Sequence, residues 1–515
     1  MRKIKSYRDK VLLHPMMAFL FMSFVIIVLS GILDLFGASV TYNKINISTG
    51  DYESTLVTVE SLLNLSGIKY IFSNTVSNFA SFTPLSMLLI TLLGIGIMDK
   101  TGFLDTMFFL LTKKIKKTTV TFFLVLICML LSISGDLSFI VMIPLAALLF
   151  KYGKRNPIVG IITAFASLGF GTSINLFLNS IESGLITYSE AVARTVTPGY
   201  AIDTYAYLFI MFVLLVVGSF TVTYITEKII APKLGKYEAA EESEVVELKE
   251  KLTRRELRGL IFALIGFFLY LIVFVYNIIP NVPFGGSLLD YSQDRYIDML
   301  FGYDSFFNSG FVFVITFAFV LMGLLYGLGT KKINNHRDIC DNLSHSLDGI
   351  GKVIVLIFFA SMFISLLKYT NIGTLVTALS ANIIQNSGWG GIPLILLVYV
   401  LSFVSALLTP NYITRWAIMS DSVVTVMLSQ GFSPEFAQLV FSAGSSLGYA
   451  ITPAMAYFVI YLAYIEKYDG DGCGMNKSIS YLIPYCLAFA GLWIVILILW
   501  YLVGLPLGIG TSTII

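Results

Sequence analysis

The stretch Ser132-Ile133-Ser134-Gly135-Asp136 places an acid in the middle of an apolar run, 118–150. A charge at the centre of a membrane helix costs roughly 2.5–3.5 kcal/mol, so an aspartate kept there either binds a cation or is held neutral. Both states suit a coupling site: a carboxylate among carbonyls for sodium, or an acid that accepts a proton. A helix cap on the segment that follows is the structural alternative, compatible with either. Arg415 is the only cation in a second interrupted apolar run, 390–429. Its planar guanidinium pairs bidentately with carboxylates, which makes it a ligand for a substrate carboxylate or a structural partner of Asp421. Trp416 beside it offers a ring for stacking or for packing, while Asn411 and Thr452 are polar groups expected to serve freed backbone and to touch a ligand.

A third polar patch, "SLGFGTSINLFLNS" (167–180), lies within a charge-free run from Pro157 to Ile181. Non-helical backbone at membrane depth is tolerated only inside protein or along a cavity. Gly169 and Gly171 make a break cheap there, and Ser167, Thr172, Ser173 and Asn175 can satisfy the freed groups. "GSSLGYAITP" (444–453), with Gly444 and Gly448, is its twin; the structural alternative for both is a glycine-rich helix packed closely on a neighbour.

The chain that must position these residues has 515 of them, 57% hydrophobic and 12% charged, with a mean hydropathy of +0.85, against roughly 25% charged in soluble domains. It reads as an all-α polytopic membrane protein. The net charge of +2 gives no reason to expect nucleic acid, and no cofactor or metal centre is expected beyond a sodium near Asp136. Three histidines, His14, His336 and His345, all fall outside the apolar runs, which argues against histidine-based metal or haem enzymes. The four cysteines have neither metal spacing nor a disulfide framework. About 20 apolar residues span a bilayer, giving nine crossings at 16–37, 82–98, 157–184, 204–226, 257–279, 306–329, 352–370, 434–464 and 479–503.

Two runs do not fit single crossings. The first, 118–150, lies between "KKIKK" (113–117) and "KYGKR" (151–155), and basic loops stay cytoplasmic. It must enter and return: a re-entrant hairpin tipped by Ser134, Gly135 and Asp136. The second, 390–429, turns at "TPN" (409–411) and enters from the opposite face. The N-terminus is then cytoplasmic and the C-terminus external. All Lys and Arg fall inside except Lys44, Lys69, Arg194, Arg295, Lys368 and Arg415, while Asp290, Asp294, Asp298 and Asp304 fall outside.

The same features recur in order: a glycine after a span (Gly102, Gly373), a hairpin, a Gly-Pro turn, then a polar-centred span. The expected organisation is an N-terminal helix and external loop (1–58), a first repeat half (59–226, hairpin 118–150, broken helix 157–184) and a charged cytoplasmic linker (227–256). Central scaffold helices (257–351), a second repeat (352–464, hairpin 390–429, broken helix 434–464) and a C-terminal helix (465–515) follow. Inverted repeats with broken helices are the architecture of secondary transporters.

Long stretches, among them "FASFTPLSMLLITLLGIGIMDKTGFLD" (79–105), "SGDLSFIVMIPLAALLFKYGKRNPIVGIITAFASLGFGTSINLFLNSIESGL" (134–185) and "RWAIMSDSVVTVMLSQGFSPEFAQLVFSAGSSLGYAITPAMAYF" (415–458), resemble the AbgT (p-aminobenzoyl-glutamate) transporter family. The resemblance implies a plasma-membrane homodimer of nine helices and two hairpins per chain. It also implies ion-driven transport of p-aminobenzoyl-glutamate, or efflux of sulfonamide-like antimetabolites. Carried over by position, the first tip's Ser-Asp is Gly135-Asp136 and the first break's Ser-Ala-Asn is Ser173-Ile174-Asn175. An acid after that break is Glu182, and Lys-Trp of the second hairpin is Arg415-Trp416. Gly-Asp-Ser becomes Gly444-Ser445-Ser446, losing a carboxylate; an Asn becomes Tyr449, while Thr452 and Pro453 are kept.

The expected substrate site therefore comprises Asn175, Glu182, Asn411, Arg415, Trp416, Ser445, Ser446, Thr452 and Pro453, and coupling to a proton or sodium falls to Asp136, Asn175 and Glu182. Glu182 also reads as a solvated carboxylate near the external end. A dicarboxylate or short-chain carboxylate carrier is the rival within the class, and a channel or membrane enzyme the rival outside it.

Overall fold

The computed structural model describes residues 13–47, 49–113, 115–176, 179–203, 205–237, 251–293, 296–301, 306–469 and 474–515. Most of the charged linker, the acids Asp294 and Asp304, and Cys473 lie outside the described residues, as does the Asp298 side chain.

Apolar length decides most of the architecture. Helix α1 (Pro15–Leu35) starts on Pro15 at a position that needs no amide donor. An antiparallel ribbon follows, β1 (Ser39–Ile45) with β2 (Tyr52–Thr58), in register from Ser39 opposite Thr58 to Ile45 opposite Tyr52. The ribbon stands where a loop is expected, and both strands are rich in β-branched and aromatic residues. Helices α2 (Leu65–Ala80) and α3 (Thr83–Thr101) form one long apolar segment bent at Ser81-Phe82, just before Pro84. The expected crossing at 82–98 is only its second half.

Short α4 (Phe103–Lys113) leads to α5 (Lys117–Leu131), a tight turn at Ser132–Ser134, and α6 (Leu137–Tyr152). Gly135 has φ 58°, a conformation open to glycine and costly to most side chains, and it reverses the chain. Helix α7 (Pro157–Gly171) is capped by Asn156, stops, and resumes as α8 (Ser180–Val196), capped by Asn179. Then come α9 (Leu208–Ile225) and, after a π-turn, α10 (Ala231–Leu234).

The second half opens with α11 (Arg254–Asn277), set by a Thr253–Glu256 capping box. It continues through α12 (Tyr296–Phe301), α13 (Phe306–Thr330) and α14 (His336–His345) to α15 (Gly351–Tyr369). From there the earlier order of elements returns: short α16 (Ile372–Gln385), α17 (Gly391–Leu408), a turn at 409–411, and α18 (Tyr412–Ser429). Helix α19 (Pro434–Ile451), capped by Ser433, stops and resumes as α20 (Phe458–Tyr468), and long α21 (Met475–Val503) follows.

The chain is an all-α polytopic membrane protein apart from the one ribbon. Among the described residues nine helices are long and apolar enough to cross a membrane. Seven match expected crossings, and the other two are α5 and α17, the first arms of the paired helices. The interrupted helices form the innermost layer: every residue of α7, and every residue from Pro434 to Ala450 of α19, is buried. Helix α6 packs along α7, α17 along α19, and α18 against α8. Outside them α3, α13 and α11 pack side by side, and α11 turns Phe268, Leu269 and Ile272 outward as a membrane protein's apolar surface can.

Candidate transport site

Both helix turns and both helix breaks meet in the centre, joined by side chains. In the first half Ser132 Oγ donates to Asn175 Oδ1 at 2.8 Å, and Asn175 Nδ2 donates to Thr172 O at 2.8 Å. The turn before α6 is thereby fastened to the gap after α7. In the second half Thr452 Oγ1 donates to Leu407 O at 2.5 Å, fastening the gap after α19 to the end of α17. Bonds also cross between the halves, among them Ser173 Oγ to Ser442 O at 2.8 Å and Tyr449 OH to Asp136 Oδ1 at 2.8 Å.

Asp136 stands at the N-cap position just before α6 but makes no capping bond with its side chain, which overturns the helix-cap alternative. The residue is exposed, and it lines a cavity of about 880 Å³. That cavity also touches Asn411 of the second turn, Tyr457 after the second break, Ser180 at the start of α8, and Lys368 and Tyr369 of α15. Asn411 does cap, accepting from Thr414 N at 2.9 Å, and is exposed as well. Tyr457 OH reaches Met87 Sδ at 3.3 Å, and Leu88, next along α3, borders a second cavity of about 500 Å³ between α3, α15 and α20.

Of the expected site residues, Asp136 and Asn411 line the larger cavity, and the others are not among its lining residues. Glu182 is buried, 5% exposed, rather than solvated: Oε2 accepts from Gln438 Nε2 at 3.2 Å, and the Asn175 amide serves the same carboxylate. Arg415 is fully buried between the rings of Tyr412 and Phe441, each 5.1 Å from its guanidinium carbon. Its Nη1 donates to Ser402 O at 3.1 Å and to Ser445 Oγ at 2.7 Å, while Nε and Nη2 have no partner among the described residues. Asp421, the alternative partner, accepts from Thr425 Oγ1 instead.

Trp416 is also fully buried. Nε1 donates to Leu185 O and Ser189 Oγ, and the ring lies 4.5 Å from Phe441, so it ties α18 to α8 and offers no free face. Ser446 bonds back to Ala443 O within its own helix, and Pro453 lies in the gap that Thr452 opens.

The break glycines need correction. Gly171 does end α7, but Gly169, Gly444 and Gly448 lie inside helices. They serve close approach: a Cβ on Gly444 would sit 2.1 Å from Tyr399 O, and one on Gly448 2.6 Å from Phe403 O. The second break begins at Thr452, where Pro453 has no amide to continue the helix. Tyr449, read as a lost amide, is the donor to Asp136; Lys368, counted as an external charge, faces the cavity.

Helix turns bonded to interrupted helices around a cavity, inside an apolar helical bundle, are the working parts of a membrane transporter. The chain belongs to the AbgT putative transporter family, which it matches over residues 2–515. It is 26% identical over 497 residues to the p-aminobenzoyl-glutamate transport protein of Escherichia coli (strain K12), covering 96% of this chain and 94% of that one. The Alcanivorax borkumensis YdaH transporter is 25% identical, covering 96% and 100% of the two chains, with a TM-score of 0.48. MtrF of Neisseria gonorrhoeae, whose structure illuminates a class of antimetabolite efflux pumps, is 29% identical, covering 97% and 98%, also with a TM-score of 0.48. These relatives are transport proteins rather than enzymes.

Proposed function

We propose that this protein is a secondary active transporter of an aromatic organic anion of the p-aminobenzoyl-glutamate type, including efflux of sulfonamide-like antimetabolites, driven by a proton or sodium gradient. The observation that carries the reading is the cavity at Asp136. One exposed acid, on the turn of a helix pair, is bonded to the opposite half's interrupted helix and faces a space large enough for a substrate of that size. Asp136 takes the coupling ion, with Asn175 and Glu182 stabilising the first break behind it.

In this reading α5–α6 and α17–α18 are re-entrant hairpins entering from opposite faces, and the two halves are inverted repeats. The recurring order of elements and the basic flanks of the first pair support it. The protein acts as a homodimer in the plasma membrane, N-terminus cytoplasmic and C-terminus external. The cavity lined by Met87 and Tyr457 and the one bordered by Leu88 are successive parts of the substrate path. Arg415, with two buried unpaired nitrogens, is the inner cation that a substrate carboxylate reaches when the Tyr412 ring moves aside.

Counterflow in proteoliposomes tests this. Vesicles preloaded with p-aminobenzoyl-glutamate should accumulate the labelled compound transiently, and short-chain dicarboxylates should compete poorly. Counterflow of a dicarboxylate with none of the aromatic anion would overturn the substrate assignment.

A further inference from the structure

We propose that Lys368 is the first carboxylate-binding cation of the transport cavity, with the stacked rings of Tyr70 and Tyr369 as the aromatic surface beside it. The inference deepens the transport reading and rests on it.

Among the described residues lining the cavity only Asp136 and Lys368 carry charge. Lys368 is exposed in the last turn of α15, and its ammonium makes no hydrogen bond or ion pair among the described residues. Its backbone is held on every side. Tyr369 stacks on Tyr70 with ring centres 4.1 Å apart and planes at 23°. Glu60 N donates to Thr370 O at 3.1 Å, and Asn371 Nδ2 reaches Thr58 O. Helix α15 packs on α1, α2 and α20. The ammonium therefore projects from an anchored wall, while Asp136 comes from a helix turn on another.

Arg415 cannot make first contact. It is fully buried, absent from the cavity lining, and covered by Tyr412 and Phe441. An ammonium on a flexible stem accepts a carboxylate without demanding a fork geometry, which fits a first-contact site. Tyr70, held by Asn78 Nδ2 on its hydroxyl at 3.1 Å, and Tyr369 both line the same cavity. A cation next to ring surface recognises an aromatic carboxylate more narrowly than either group alone. Lys368 would also suit the carbonyl end of α15 as a purely structural charge, but that role cannot distinguish one ligand from another.

The test is binding to the purified full-length protein, comparing p-aminobenzoyl-glutamate with its uncharged dimethyl ester by calorimetry. The parent should prefer the diacid. Lys368→Met should reduce that preference about tenfold or more, the scale of one charge-assisted hydrogen bond. Lys368→Arg should retain it, and both variants should unfold at the parent's temperature. A preference unchanged in Lys368→Met overturns the role of Lys368 and leaves the transport reading standing. A parent that binds neither compound overturns the transport reading and this inference together.

Discussion

Tyr449 OH donates to Asp136 Oδ1 at 2.8 Å, so a helix that breaks in one half of the chain holds an acid that the other half supplies, the only one among the described residues of the cavity wall. The two residues are 313 positions apart. Any movement of the first turn relative to α19 must break this bond or carry Tyr449 along, which couples the state of the acid to the geometry of both halves.

Asp136→Asn should abolish gradient-driven accumulation while leaving substrate exchange partly intact, because the amide keeps the shape but cannot titrate or balance a cation. Tyr449→Phe should lower accumulation less, since it removes one hydrogen bond to a charged group, about 1.5–3 kcal/mol. Parallel exchange and accumulation assays separate the two; equal loss of both activities in Asp136→Asn would assign it a structural role.

Arg415→Met should fold as well as the parent or better. A buried cation with two unpaired nitrogens is replaced by an apolar chain of similar length, and such replacements are often neutral or stabilising. Transport should suffer nonetheless, with KM for the dianion rising by roughly thirtyfold, or 2 kcal/mol. Thermal unfolding beside transport kinetics checks both halves. A lower Tm with unchanged KM would make Arg415 a structural residue.

Gly444→Ala should be poorly tolerated, because its Cβ would meet the Tyr399 carbonyl at 2.1 Å and backbone must shift. Overpacking of this kind costs about 1–3 kcal/mol. Gly169→Ala, whose Cβ would meet the Ala450 methyl at 2.9 Å, should lower the unfolding temperature less. The reverse order would show that Gly444 is needed for something other than close approach.

The positions of these glycines show where sequence stops informing. Glycine signals both a cheap break and a close contact, and only the neighbouring Tyr399 carbonyl tells which applies to Gly444. The continuous crossings were legible because a run of about twenty apolar residues has few other uses. The two turns were legible from Ser-Gly-Asp and Thr-Pro-Asn inside apolar runs. The 39–58 ribbon was passed over because its strands are short and lie between spans, although Tyr42 and Val57 are buried on one face of it. Lys368 was invisible as a site residue: sequence can count a lysine on one side of a membrane but not see the cavity it enters.

Cysteines placed at Lys116 and Lys154, flanking the first helix pair, should label from the same side of the membrane in intact cells. An impermeant reagent should reach neither until the membrane is opened. Labelling of the two from opposite faces would make α5 and α6 together a crossing and would undo the inverted-repeat reading.

The most direct measurement is accumulation of labelled p-aminobenzoyl-glutamate in proteoliposomes under an imposed proton or sodium gradient, with and without the matching ionophore, in the parent and in Asp136→Asn. A gradient-driven carrier working through Asp136 should concentrate the label in the parent, lose that concentration when the ionophore dissipates the gradient, and fail to concentrate it in Asp136→Asn. Accumulation by Asp136→Asn equal to the parent's, or flux in the parent that only equilibrates the label under either gradient, would contradict it.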